Sequence, residues 1–105
     1  MKYEVILETT AIQDLYGIMD YITGVLKSPG SAKRVASSIE DKIASLNFMP
    51  ARHPVVRDEP YKSYGVRLLT VENYIAFYII NELELEVRVL RILYNRREWQ
   101  AALLM

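Results

Sequence analysis

A chain of 105 residues, 51% of them apolar and 25% charged, is sized for one domain, residues 1–105, with a proper hydrophobic core. It has no cysteine, which excludes disulfides, thiolate nucleophiles and zinc–thiolate sites and fits a reducing cytoplasm. Its 13 basic and 13 acidic side chains cancel, so a general polyanion-coating role is excluded and any contact with nucleic acid must come from a local cluster. The longest apolar run, 74–80, is far short of a membrane span. The opening KYEVILE reads as a strand, not a secretion signal. A cytoplasmic location without membrane contact is expected.

Residues 2–8 alternate, Tyr3, Val5 and Leu7 against Lys2, Glu4 and Glu8, and predict a first strand with one mostly buried face. Thr10 followed by Gln13 is a capping-box pattern that starts a helix. Ala11, Leu15, Ile18, Met19, Ile22 and Leu26 recur at helical spacing on one face, and Tyr16 and Tyr21 broaden the apolar surface beyond it. Ser28-Pro29-Gly30-Ser31 breaks the chain. Ser28 can cap a second helix with Pro29 at its first position, where a missing N–H costs nothing. That helix carries Ala32, Val35, Ala36, Ile39, Ile43 and Leu46, and the short turn makes the two helices an antiparallel hairpin.

Residues 49–63 hold three of the four prolines and read as a loop. A strand follows over 64–70. Val71-Glu72-Asn73 turns the chain, with Asn73 suited to positive φ. The apolar stretch 74–80 is a third, central strand. The last strand starts near residue 85 and ends in the cationic, aromatic run Tyr94-Asn95-Arg96-Arg97-Glu98-Trp99, with a short helix expected over 96–104. The order predicts an α+β fold, β-α-α-β-β-β, with an antiparallel four-stranded sheet, the helix hairpin on one face and the other face free.

This order and its most specific stretches, GVRLLTVENYIAFYII and VLRILYNRREW, resemble the RelE/ParE superfamily of bacterial type II toxins across essentially the whole chain. The phrases IMDYI and SLNFMP are similar to its ParE-like branch. The resemblance implies a cognate antitoxin that wraps the protein into a hetero-oligomer. It implies one of two targets: DNA gyrase for ParE-like members, or messenger RNA on the ribosome, cut without metal, for RelE-like members. No cofactor and no metal is implied. A third possibility is a degenerate, non-toxic member acting as antitoxin ligand or co-repressor.

The nuclease reading needs a general acid or base and cations against a pentacoordinate phosphate. Arg96 falls where the resemblance expects the arginine after the last strand. Arg67 lies on the second strand, out of clear register with the family's lysines. The third-strand arginine position holds Ile75, and the terminal aromatic is Trp99, which has no ionisable proton. Tyr94 could replace it only in a rearranged site. Were the protein a nuclease, Arg67, Tyr94 and Arg96 would carry the reaction; these departures favour a non-enzymatic toxin. The toxic surface is expected at Arg67, Tyr94, Arg96, Arg97 and Trp99, since arginine's planar fork suits phosphate and carboxylate alike. Tyr16 and Tyr21 are the expected antitoxin contacts on the hairpin. Arg91, which interrupts the last strand's apolar run, is read as structural, held by backbone carbonyls or an acidic neighbour. His53, alone in a proline-flanked loop, is a poor metal or catalytic candidate.

Overall fold

The computed structural model describes residues 2–95. Their order is β1 (Glu4–Leu7), α1 (Thr9–Asp20), α2 (Pro29–Ala44), β2 (Arg67–Val71), β3 (Tyr74–Asn81) and β4 (Glu86–Tyr94). The terminal helix expected over 96–104, with Arg96, Arg97 and Trp99, lies outside the described residues.

The sheet runs β1-β4-β3-β2. The last three strands form the expected antiparallel meander, but β1 pairs with β4 in parallel, Glu4 opposite Glu86 through Leu7 opposite Val89. The sheet is therefore mixed rather than antiparallel. Two hairpin reversals give β4 the direction of β2, and β1 shares that direction because the helix pair between them reverses the chain twice. The outer edge of β2 is not open to β1. Residues 54–56 close it, with Leu68 N–H donating to the Pro54 carbonyl at 3.0 Å and Val56 N–H to the Val66 carbonyl at 2.8 Å.

β1 is shorter than β4, and α1 completes its work. Beyond Val89 no strand among the described residues covers the outer edge of β4. Thr10 is not the helix cap, a position taken by Glu8. Its hydroxyl instead donates to the Leu90 carbonyl at 2.7 Å. Asp14, one turn along the same helix face, accepts the Ile92 N–H at 2.9 Å and the Arg91 fork at 2.7 and 3.0 Å. Side chains of α1 thus satisfy backbone groups that would otherwise face the helix without a partner. The expected acidic neighbour of Arg91 is Asp14.

The two helices bury their stripes unequally. On α2, Ala32, Val35, Ala36, Ile39 and Ile43 are all buried. Pro29 takes its first position, while the Ser28 hydroxyl pairs with that of Ser31 at 2.7 Å instead of capping the backbone. On α1 only Ala11 is buried, and Leu15 and Ile18 are half-buried. After Asp20 the chain widens into a π-helical turn, Tyr21–Val25, marked by Leu26 N–H donating to the Tyr21 carbonyl at 3.2 Å. That widening keeps Ile22 inside and turns Tyr21, Val25 and Leu26 outward. The stripe predicted to run to Leu26 stops short of it.

The main core lies between the hairpin and one sheet face, where Leu69, Val71, Ala76, Tyr78, Val87, Val89 and Ile92 meet Ile39, Ile43 and Leu46. Full burial of a side chain of this size contributes roughly 1.5–3 kcal/mol. The other face is not free as expected. Val56, Tyr61 and Val66, from the loop and the approach to β2, pack on Ile75 and Phe77 as a second small core. The polar look of the loop hides these three apolar residues, which are spaced to fold back across the sheet. β2 accordingly begins at Arg67 rather than at residue 64.

Candidate functional site

Two convergences of polar and aromatic side chains lie along β3, one at its middle, Tyr78, and one at its start, Tyr74. At the first, Tyr78 is fully buried and its hydroxyl donates to the Pro50 carbonyl at 2.6 Å. Arg67 stands opposite Tyr78 in the β2–β3 ladder and donates to the Ala51 and His53 carbonyls at 3.1 and 2.6 Å. Arg52 closes the preceding turn by donating to the carbonyls of Ser45, Phe48 and Met49. Its contacts sit beside Met49, whose φ of 49° is left-handed. Burial pushes the Tyr78 hydroxyl up to about 12, against the opposing pull of Arg67 and Arg52. The His53 ring meets Tyr78 edge-on, with centroids 6.4 Å apart. Its Nε2 is buried without a hydrogen-bond partner among the described residues. Burial first, then the charges of Arg52, Lys42 and Arg67, lower its pKa. Here the cations are spent on main-chain carbonyls, and the cluster lashes the loop to the sheet.

The second convergence is open. A groove of about 750 Å³ runs between α1, its π-helical turn, α2 and the ends of β3 and β4. Ile18, Ile22, Val35 and Ile92 line its apolar depth, and Tyr21, Tyr74 and Tyr94 stand on it. Tyr74 and Tyr94 face each other across β3 and β4, with ring centroids 5.7 Å apart and planes at 77°. Burial raises the Tyr74 hydroxyl pKa, and Tyr94, Glu72 and Tyr21 add to the effect in that order. Along one side Arg34 of α2 meets Glu72 of the β2–β3 turn at 2.6 Å. Glu72, not Asn73, holds the positive φ of that turn, 53°. An apolar depth with polar aromatic rims is the build of a site that accepts a protein segment.

Of the expected toxic surface, Tyr94 stands at this groove and Arg67 at the other convergence. Tyr74 and Tyr78, their respective partners on β3, lie four residues apart, about 13 Å along the strand. The structure does not bring Arg67 to Tyr94. A parallel relation between β2 and β4 puts the start of one opposite the middle of the other, and the guanidinium turns to loop carbonyls. Asn95 N–H donates to the Asn73 carbonyl at 2.8 Å, so the chain leaves the sheet beside the groove; Arg96, Arg97 and Trp99 lie outside the described residues. Tyr21 lines the groove, whereas Tyr16, 63% exposed, stands on α1 outside its lining. Sequence reasoning missed Asp14, Tyr74 and the Arg34–Glu72 pair. Only Asp14 carried a signal, its spacing of four from Thr10.

Residues 5–99 match the family model described as ParE toxin of type II toxin-antitoxin system, parDE. The chain belongs to that family. Solved structures share its fold. The chromosomal ParDE toxin–antitoxin system of P. aeruginosa matches at 24% identity and TM-score 0.74, covering 90% of this chain and 98% of that one. The RelBE2 toxin–antitoxin complex of Mycobacterium tuberculosis matches at 21% identity and TM-score 0.68, covering 90% of this chain and 99% of that one. A mutant of the E. coli toxin RelE in the free state matches at 12% identity and TM-score 0.65, covering 97% of this chain and 93% of that one. No curated protein matches the sequence. In this ParE-family toxin no helix among the described residues is long and apolar enough to cross a membrane. No three His, Asp or Glu side chains among them gather to hold a metal ion.

Proposed function

We propose that this ParE-family toxin arrests growth in the cytoplasm by binding a protein target such as DNA gyrase, and that a cognate antitoxin neutralises it. The supporting observation is the separation of Arg67 from Tyr94. A phosphoryl-transfer site needs its cations and its proton donor on one phosphate, and these two candidates stand beside β3 residues four apart, about 13 Å along the strand. The target-binding surface is Tyr94, Arg96, Arg97 and Trp99. Arg67 contributes only by holding the loop. The antitoxin occupies the groove beside Tyr21 and extends over the exposed hairpin face at Tyr16.

The test is expression alone and with the adjacent open reading frame, followed by a gyrase supercoiling assay beside a ribosome-dependent cleavage assay. The expected result is blocked supercoiling with intact messenger RNA, relieved by the partner. Fragmented messenger RNA would establish the nuclease reading instead, and normal growth with a folded protein the degenerate one. Arg96→Ala with Arg97→Ala should abolish growth arrest while leaving the melting temperature within a few degrees, the outcome expected of a binding rather than a structural role.

A further inference from the structure

We propose that Thr10 and Asp14 of α1 are positioning residues. By pinning the bulge in β4 they aim the end of that strand, Tyr94, and with it the segment that meets the toxin's target. This rests on the reading of Tyr94 and the residues after it as the target-binding surface, and names what sets its direction.

The ladder between β3 and β4 slips once. Phe77 stands opposite Arg91 and Tyr78 opposite Val89, so β4 carries one residue, Leu90, that β3 does not match. Such a bulge bends its strand and re-aims the side chains beyond it. The regular pairing before Leu90 therefore does not dictate where residues 92–94 point. The parallel neighbour does not dictate it either, since the β1 ladder ends at Val89.

Among the described residues, what meets that side of β4 is α1. The Thr10 hydroxyl donates to the carbonyl of the bulged residue itself, Leu90, at 2.7 Å. Asp14 takes the next two residues. One of its oxygens accepts from Arg91 Nε at 2.7 Å and from the Ile92 N–H at 2.9 Å, and the other accepts from the second arm of the Arg91 fork at 3.0 Å. Three successive residues of β4 are thus tied to two side chains one helical turn apart. The Arg91 and Asp14 side chains are only 20% and 16% exposed. A two-pronged contact in that setting fixes the carboxylate's orientation, so its oxygen is held ready for one amide. The consequence falls two residues later. Tyr94 meets Tyr74 with ring centroids 5.7 Å apart, and Asn95 N–H donates to the Asn73 carbonyl at 2.8 Å. β3 holds this exit from one side, and Thr10 and Asp14 hold the bulge before it from the other.

The experiment uses the full chain with Asp14→Ala, Asp14→Asn or Thr10→Val, and Tyr78→Phe as a control that loses stability away from α1. Growth arrest is scored at equal soluble protein. Amide exchange at Ile92 and Leu69, and the NOE between the rings of Tyr74 and Tyr94, are read by NMR. Asp14→Ala should raise the ratio of Ile92 to Leu69 exchange about ten-fold, remove the ring-to-ring signal and abolish most of the growth arrest. Asp14→Asn keeps an acceptor for the Ile92 N–H and should retain the ring signal and most of the arrest. Thr10→Val frees one carbonyl and should weaken the same signals less, and it remains readable should Asp14→Ala not fold. Tyr78→Phe should keep its growth arrest. Unchanged amide and ring signals, or full growth arrest with both lost, would overturn the proposal. Equal loss of arrest in Tyr78→Phe would overturn it too, since the role would then be one of stability alone. A parent chain that does not arrest growth overturns the toxin reading instead, while the amide and ring signals still decide whether α1 aims the strand.

Discussion

The start and the middle of β3 are built from the same residue types for opposite purposes. Around Tyr78 a tyrosine and two arginines donate to main-chain carbonyls of residues 45–53, with the His53 ring against Tyr78. At Tyr74 three tyrosines, an arginine and a glutamate stand around an open groove. An arginine on a strand is therefore no sign of a binding surface until its acceptors are known. Where those acceptors are carbonyls of the same chain, it is a fastener.

The contrast can be broken most severely at the closed site. Tyr78→Ala should cost about 3–5 kcal/mol in urea unfolding, since it empties a fully buried site. Tyr74→Ala, at the half-buried open end, should cost less than half as much. Equal losses would mean that the groove is as tightly packed as the core. Tyr78→Phe isolates the hydroxyl. It should cost about 1–2 kcal/mol, because the Pro50 carbonyl loses its donor at 2.6 Å.

A pH series sharpens the comparison further. His53 has its pKa lowered in the folded protein from the ordinary 6.5, first by burial and then by Arg52, Lys42 and Arg67. Between the ordinary value and the lowered one the unfolded chain binds a proton that the folded chain refuses. The stability contributed by neutral His53 is therefore complete above about pH 6.5 and declines as pH falls through that value, levelling off below the folded pKa. His53→Gln should flatten unfolding free energy between about pH 7 and pH 5.5 relative to the parent chain. An unchanged slope would show that the ring titrates as it does in water. The smallest effect belongs to the open end. Glu72→Gly relieves a left-handed residue but removes the Arg34 pair, so thermal unfolding should place it within about 0.5 kcal/mol of the parent.

Element order was legible because periodicity reports it directly. The stripe Ala32, Val35, Ala36, Ile39 and Ile43 is buried as read, and the apolar run beginning at Tyr74 became an interior strand. Pairing direction was not legible, since Glu4–Leu7 reads the same whether its neighbour runs with it or against it. The second core was hidden for a different reason. Val56, Tyr61 and Val66 recur every five residues, a period of neither helix nor strand, and only the fold-back of the loop brings them onto Phe77. At the candidate site, Tyr21 and Tyr94 could be picked out as aromatics outside any stripe. Arg67 could be placed on its strand, but its carbonyl acceptors come from a loop more than a dozen residues away. Asp14 looked like one surface acid among several, because the N–H of Ile92 that it accepts belongs to a strand 78 residues later.

The parallel seam between β1 and β4 also governs when the protein can exist. Glu4 must wait for Glu86, so a growing chain on the ribosome carries its first strand without that neighbour until β4 has been translated. Such distant pairings slow folding, because the loop must close before any contact rewards it. The helices can form earlier, but the sheet, and with it the groove at Tyr94, is completed only once β4 has been made. A partner that recognises the finished groove meets it only after β1 and β4 have paired.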